Sequence, residues 1–301
     1  MNREHRSAAA HPPTGFLLSR GLWMMVGSSF GFALMASLVK AIGTRIPTFE
    51  VVWFRAVVSL GLTLLLIRGA RASAWGRRRG WLALRGLAGF LALLAYFRTL
   101  TLLPLAVAQV LQYTSPAFSA LLAPAFLGER ASRRTWGAIG LAFLGLCLIA
   151  RPRTAVPPLA AAIALAGAFG SAVAYNIVRK LRDEHPFTII LYLPLVSFLL
   201  ASPPTAAAFV LPRGLEWWLL LGVGLTSQVA QILLTYGLHA EAVARGSTAT
   251  YLNVVFAGVL GWAIWSEVPD RWSWAGAALV TLAVLSLGRR EEPAAEEPLR
   301  A

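Results

Sequence analysis

Apolar residues run in long blocks separated by short polar or basic links. The blocks fall at 18–42, 48–67, 80–102, 105–127, 134–150, 157–178, 186–201, 215–238, 242–265 and 272–288. A bilayer crossing needs about 20 mostly apolar residues, with a range of roughly 17–25. The pattern therefore predicts an all-α membrane protein with ten transmembrane helices. The block at 186–201 is the weakest, because it is short and carries Pro194. Residues 1–17 read as a polar tail around Pro12-Pro13, and 289–301 as an acidic solvated tail. Basic residues ahead of the first block imitate a signal peptide, but the further blocks downstream favour a retained first helix.

Composition narrows the class further. The 301 residues are 57% hydrophobic and 13% charged, with mean hydropathy +0.66. Soluble domains are about 45–50% apolar and about 25% charged, and disorder requires low hydrophobicity with high charge. Both classes are excluded. The net charge of +14 is not read as nucleic-acid binding, because cytoplasmic loops of membrane proteins concentrate Lys and Arg. With the N-terminus inside, 18 basic residues fall in inner loops and tails and five in outer loops. Both termini are thus expected in the cytoplasm, which agrees with an even number of crossings, and the cell (inner) membrane is the expected location. Cys147 is the single cysteine, and no paired Cys/His spacing suggests a metal. No Gly-rich phosphate loop or zinc-protease motif is present. No metal, no cofactor and no enzymatic activity are predicted.

The two halves match at an offset of 138. Tyr113 aligns with Tyr251, Phe118 with Phe256, Glu129 with Glu267, Arg133 with Arg271 and Trp136 with Trp274. Phe49 aligns with Phe187 and Gly86 with Gly224. Repeats at 18–153 and 154–288 then carry five helices each. An odd number turns the second repeat upside down, the arrangement of secondary transporters with a site near the midplane between the halves.

Several stretches resemble the drug/metabolite transporter superfamily in its EamA-type branch. They are Glu50-Val51-Val52-Trp53-Phe54-Arg55, Pro116 with the small and apolar residues after it, Leu127-Gly128-Glu129-Arg130, and Trp136-Gly137-Ala138-Ile139-Gly140-Leu141. The second repeat departs with Ser266-Glu267-Val268, where Gly-Glu often stands. The resemblance covers about residues 20–288. It implies transport of small organic metabolites (amino acids, organic anions or drug-like solutes) by alternating access without ATP hydrolysis. A non-transporting membrane scaffold or regulatory partner remains the alternative.

Candidate site residues follow from polarity inside the blocks. An ionisable group within a span costs about 2.5–3.5 kcal/mol on insertion scales and usually faces a wet cavity or a partner. Arg55 lies deepest, and Arg98 is a second anion candidate beside helix-end anchoring. Lys40 and Arg85 lie near span ends, where long stems let the charge snorkel outward. Gln109, Gln112, Tyr113 and Pro116 share one helical face at i, i+3, i+4 and i+7. Gln228, Gln231 and Thr235 repeat that spacing, while Tyr251, Asn253, Ser171 and Tyr175 add polar groups on other spans. Substrate binding is therefore assigned to Arg55, Arg98, Gln109, Gln112, Tyr113, Tyr175, Gln228, Gln231, Tyr251 and Asn253. The arginines tilt the site towards carboxylate or phosphate, which a guanidinium fork grips bidentately. Glu50 is a coupling candidate and Pro116 a gating candidate. Glu129 is expected to pair with Arg130, Arg133 or Arg134. The expected partners are a small-molecule metabolite, the lipid bilayer, and a proton or counter-substrate.

Overall fold

A computed structural model describes residues 18–103, 105–150, 156–266 and 268–287. All described regular structure is helical. The helices are α1 (Arg20–Ile42), α2 (Thr48–Gly69), α3 (Arg79–Leu102), α4 (Leu105–Gln112), α5 (Ser115–Leu127), α6 (Arg133–Ala150), α7 (Pro158–Lys180), α8 (Pro186–Ala207), α9 (Leu215–Ala240), α10 (Val243–Thr248), α11 (Leu252–Trp265) and α12 (Arg271–Ser286). Among the described residues, eight stretches are long and apolar enough to cross a membrane.

Local chemistry sets the helix ends. Ser19 Oγ accepts from the Leu22 amide at 3.2 Å, and Asp270 Oδ1 from the Ser273 amide at 2.9 Å, each satisfying an orphan donor of a first turn. Pro158 and Pro186 open α7 and α8, where no amide hydrogen is needed. Gly128 closes α5 at φ 71°, a conformation that an L side chain resists.

Two expected spans are broken. The 105–127 block divides into α4 and α5 around Tyr113-Thr114. The 242–265 block divides into α10, a 3-10 turn at Ala249–Tyr251, and α11. Pro116 therefore starts a new helix at its first turn rather than kinking a continuous one. Irregular backbone at membrane depth needs internal partners. Here Ser29 Oγ donates to the Ala249 carbonyl at 3.1 Å, and Asn253 Nδ2 donates to the Ser29 carbonyl at 3.1 Å. The expected 186–201 span is instead α8 and runs on to Ala207 through Pro194, Pro203 and Pro204. Ser202 helps hold that end: its Oγ donates to the Phe198 carbonyl at 2.6 Å and accepts from Trp53 Nε1 at 3.0 Å.

The 138-residue offset recurs in the helix boundaries. α1 and α7 both start and end 138 residues apart, and so do α2 and α8. Packing repeats with them. α1 lies against α9 and α11, while α7 lies against α3 and α5, so each half lends its first helix to the other. α2 pairs with α8, and α6 with α12. The aligned glycines mark close approaches: a Cβ on Gly86 would stand 2.5 Å from the Tyr192 carbonyl oxygen on α8, and one on Gly224 2.4 Å from Val58 Cβ on α2.

Candidate functional site

Where the broken helices meet, they leave a cavity of about 250 Å³. Its wall draws on both halves: Ser29 and Phe32 of α1, Arg55 of α2, Arg85 and Tyr96 of α3, Gln112 and Tyr113 at the first break, Ser171 and Tyr175 of α7, Gln231 of α9, and Thr250 and Asn253 at the second break. Six of the expected residues come together here: Arg55, Gln112, Tyr113, Tyr175, Gln231 and Asn253.

The wall is held by cross-helix hydrogen bonds. Tyr113 donates its hydroxyl to Asn253 Oδ1 at 2.8 Å, and Gln112 Nε2 donates to Ser171 Oγ at 3.1 Å. Arg55 Nε donates to Ser227 Oγ. Tyr251 is only 1% exposed and stacks behind Tyr113, so it supports the wall from outside the cavity. The break at Tyr113 turns its ring inward while the break at Tyr251 turns the aligned ring into the core.

The other expected residues lie elsewhere. Gln228 faces α2, where its Nε2 donates to Thr63 Oγ1 at 2.9 Å, so it tethers two helices. Gln228 and Gln231 sit on opposite edges of one stripe, and only the second reaches the cavity. Arg98 is exposed and borders a separate pocket of about 300 Å³ with Thr48, Phe49 and Phe90. Glu50 is fully buried at the start of α2, where its Oε2 accepts from the Val210 amide at 2.9 Å. Pro116 is buried in the first turn of α5. The side chain of Gln109 and all of Glu267 lie outside the described residues.

Arg85 corrects the sequence reading most. It does not snorkel to the near end of α3. It is 3% exposed, lines the cavity, and extends one turn deeper, with Nη1 3.9 Å from where a Cβ of Gly89 would stand. Its direction is not legible in the sequence: the glycine one turn on, Gly89, makes room for Leu193, whose Cδ1 would stand 2.9 Å from a Cβ there, and not for the guanidinium. Tyr96 is a second wall residue that the sequence reading passed over. No Asp or Glu lines the cavity. It is a positively charged, hydroxyl- and amide-rich chamber with aromatic walls, suited to a small polar solute bearing negative charge.

Glu129 also differs from expectation. Its Oε1 lies 2.9 Å from Arg179 Nε on α7, not against its sequence neighbours, and its Oε2 accepts from the Val243 amide at 3.2 Å. Arg179 Nη1 in turn donates to the His239 carbonyl. One ion pair thereby joins the ends of α5, α7, α9 and α10.

Comparison with known proteins agrees with this architecture. Residues 19–151 and 158–289 each match the model of the EamA-like transporter family. The chain is 34% identical to "Pseudopaline exporter CntI" of Pseudomonas aeruginosa (strain UCBPP-PA14), covering 92% of this chain and 98% of that protein. It is 25% identical to the "S-adenosylmethionine uptake transporter" of Rickettsia felis, over 85% of this chain and 87% of that one. It is 27% identical to the "Riboflavin transporter" of Vibrio cholerae, over 89% and 92%. A solved crystal structure, 17% identical, superposes with a TM-score of 0.79 over 90% of this chain and 96% of that chain, and shares the fold.

Proposed function

The chain belongs to the EamA-like transporter family, and from that premise we propose that it moves its substrate by alternating access around the central cavity. It is a multi-pass membrane transporter of small metabolites, as its relatives are for pseudopaline, S-adenosylmethionine and riboflavin. The two matched repeats form two inverted halves of five crossings each, broken helices α4–α5 and α10–α11 counting as one crossing apiece. The recurrence of helix boundaries at 138 residues supports that reading.

The observation that carries the mechanism is the cavity itself. It is about 250 Å³, the size of a small metabolite and just below the usual 300–1,000 Å³ of drug-sized sites. It lies where two discontinuous helices meet, which is where transporters of this construction bind substrate. Arg55, Gln112, Tyr113, Tyr175, Gln231 and Asn253 are the substrate contacts in this reading. Both termini lie in the cytoplasm and the membrane is the cell membrane in this reading, and the basic excess on one side supports the orientation. A proton or counter-substrate drives the cycle. The Glu129–Arg179 network then closes the cytoplasmic end.

Counterflow in proteoliposomes tests this. A broad metabolite panel is expected to contain at least one solute whose exchange saturates. Ser171→Trp, which fills the chamber, is expected to abolish that exchange while the protein still folds. Exchange indistinguishable from protein-free vesicles for every solute would overturn the reading.

A further inference from the structure

Two guanidiniums face one cavity that offers them no carboxylate. Arg85 is nine-tenths buried and more, and its Nε and Nη1 have no hydrogen-bond partner. Arg55 is held at Nε by a neutral hydroxyl, Ser227 Oγ. Neither arginine has an acidic partner among the described residues. The ion pairs Arg45–Glu216, Glu129–Arg179 and Arg245–Glu241 all lie at helix ends.

The two charges enter from different heights. Arg55 stands seven residues into α2 and Arg85 six into α3. At about 1.5 Å per residue, each root is roughly 10 Å along its own helix. Consecutive spans run in opposite directions, so the roots approach the middle of the membrane from opposite ends. Both side chains line the one chamber. A buried, unpaired cation is costly to maintain. Arg85 is such a cation and Arg55, half-buried, is held only by a neutral hydroxyl, which is consistent with a cargo that supplies the missing negative charge.

We propose that Arg55 and Arg85 form a two-point receptor and that the transported metabolite carries two separate carboxylate groups. Phe32, Tyr96, Tyr113 and Tyr175 form the wall against which its carbon skeleton packs. Gln112 Oε1 has no partner and is free to accept from an amine or hydroxyl on the same solute. The inference rests on the central cavity being the substrate site.

Thermal unfolding of the full-length protein in phosphatidylcholine nanodiscs tests it, with succinate and glutarate as dianion probes. Succinamide serves as the neutral match, putrescine as the cation and inorganic phosphate as the compact anion. A dicarboxylate is expected to stabilise the wild type in a saturable way. Its half-saturating concentration is expected to rise about tenfold or more in Arg85→Gln and in Arg55→Gln, the size of one lost charged hydrogen-bond pair. Arg85→Lys is expected to weaken binding less. Without probe, Arg85→Gln is expected to melt no lower than the wild type, because it removes an unpaired buried charge. Arg85→Gln melting well below wild type, with rescue by Arg85→Lys, would make Arg85 a structural charge and overturn the proposal. So would dicarboxylates that stabilise nothing, or that stabilise Arg85→Gln as well as wild type. Stabilisation by phosphatidylglycerol in the disc, lost in Arg85→Gln, would assign the pair to a lipid headgroup and overturn the metabolite class. A neutral or cationic probe that binds wild type but not Ser171→Trp would sink the dianion inference and leave the cavity reading intact. Probes that bind Ser171→Trp as well as wild type would sink the cavity reading itself.

Discussion

Tyr113 and Tyr251 stack with ring centroids 5.8 Å apart and planes at 29°, although 138 residues separate them. Each sits at the break of its helix, so the pair joins the two halves at the discontinuity. Tyr113 adds a hydrogen bond to Asn253, which in turn holds the Ser29 carbonyl. Tyr113→Phe is expected to cost only about 0.6 kcal/mol, typical of one interhelical hydrogen bond in a membrane. Tyr251→Ala empties a fully enclosed ring site and is expected to cost about 3–5 kcal/mol. Reversible unfolding in detergent separates the two. Equal losses would mean that the hydroxyl, not the stacked ring, holds the halves together.

Much of the architecture is written in the apolar blocks, because span length is a property of the bilayer and not of tertiary contacts. The breaks are less visible. The polar run Gln112-Tyr113-Thr114-Ser115 reads as the polar face of one continuous helix as readily as a break, and Pro116 reads equally as a kink or as the first turn of a new helix. Site residues depend on a further fact, the direction in which each side chain leaves its helix. Gln228 and Gln231 lie three positions apart, yet one meets Thr63 and the other the cavity. For Arg85 the short distance to the helix end suggests snorkelling, whereas packing against the neighbouring helices buries it and turns it to the cavity. For Glu129 the sequence points to the neighbouring arginines, whereas helix packing brings Arg179 from 50 residues away.

The α6–α12 seam depends on two glycines. A Cβ on Gly145 would stand 2.6 Å from the Gly276 carbonyl oxygen, and one on Gly276 2.4 Å from the Gly145 carbonyl oxygen. Both obstacles are backbone, so neither can swing aside. Small residues at such crossings let membrane helices approach closely. Gly145→Leu and Gly276→Leu are expected to destabilise by about 2 kcal/mol or more, within the range of overpacked cores. Gly137→Ala, on the same helix α6 with open space around it, is the matched control. It is expected to be neutral or slightly stabilising by helix propensity. Comparable losses at Gly137 and Gly145 would argue against close approach at the seam.

The Glu129–Arg179 pair has intermediate exposure, 27% and 12% of the two side chains. Exposed pairs contribute about 0.2–1 kcal/mol, while breaking a buried pair costs about 3–5 kcal/mol. Glu129→Ala should therefore cost about 1–3 kcal/mol between these limits. If the network is the cytoplasmic closure, it should also open the cavity to that side. In a Cys147→Ser background, a cysteine at position 171 reports access. Labelling of Ser171→Cys by an impermeant thiol reagent in inside-out vesicles should quicken when Glu129→Ala is added. Unchanged labelling would leave the pair a packing contact and remove it from the gate.

Glu50 tests the coupling question with least disturbance. It is fully buried, its Oε2 accepts from Val210, and its Oε1 has no partner. Glu50→Gln keeps an amide oxygen to accept from Val210 while removing the ability to carry a proton. The variant is expected to melt close to the wild type, because the bond that ties α2 to the α8–α9 loop survives. If Glu50 carries the coupling proton, exchange of the substrate across equal pH persists in Glu50→Gln while accumulation driven by a pH gradient disappears. That split isolates coupling from binding, since a folding or site defect would lower both together. Accumulation that survives intact would place proton coupling elsewhere or leave exchange for a counter-substrate as the driving step, with Glu50 a fixed anchor for the loop.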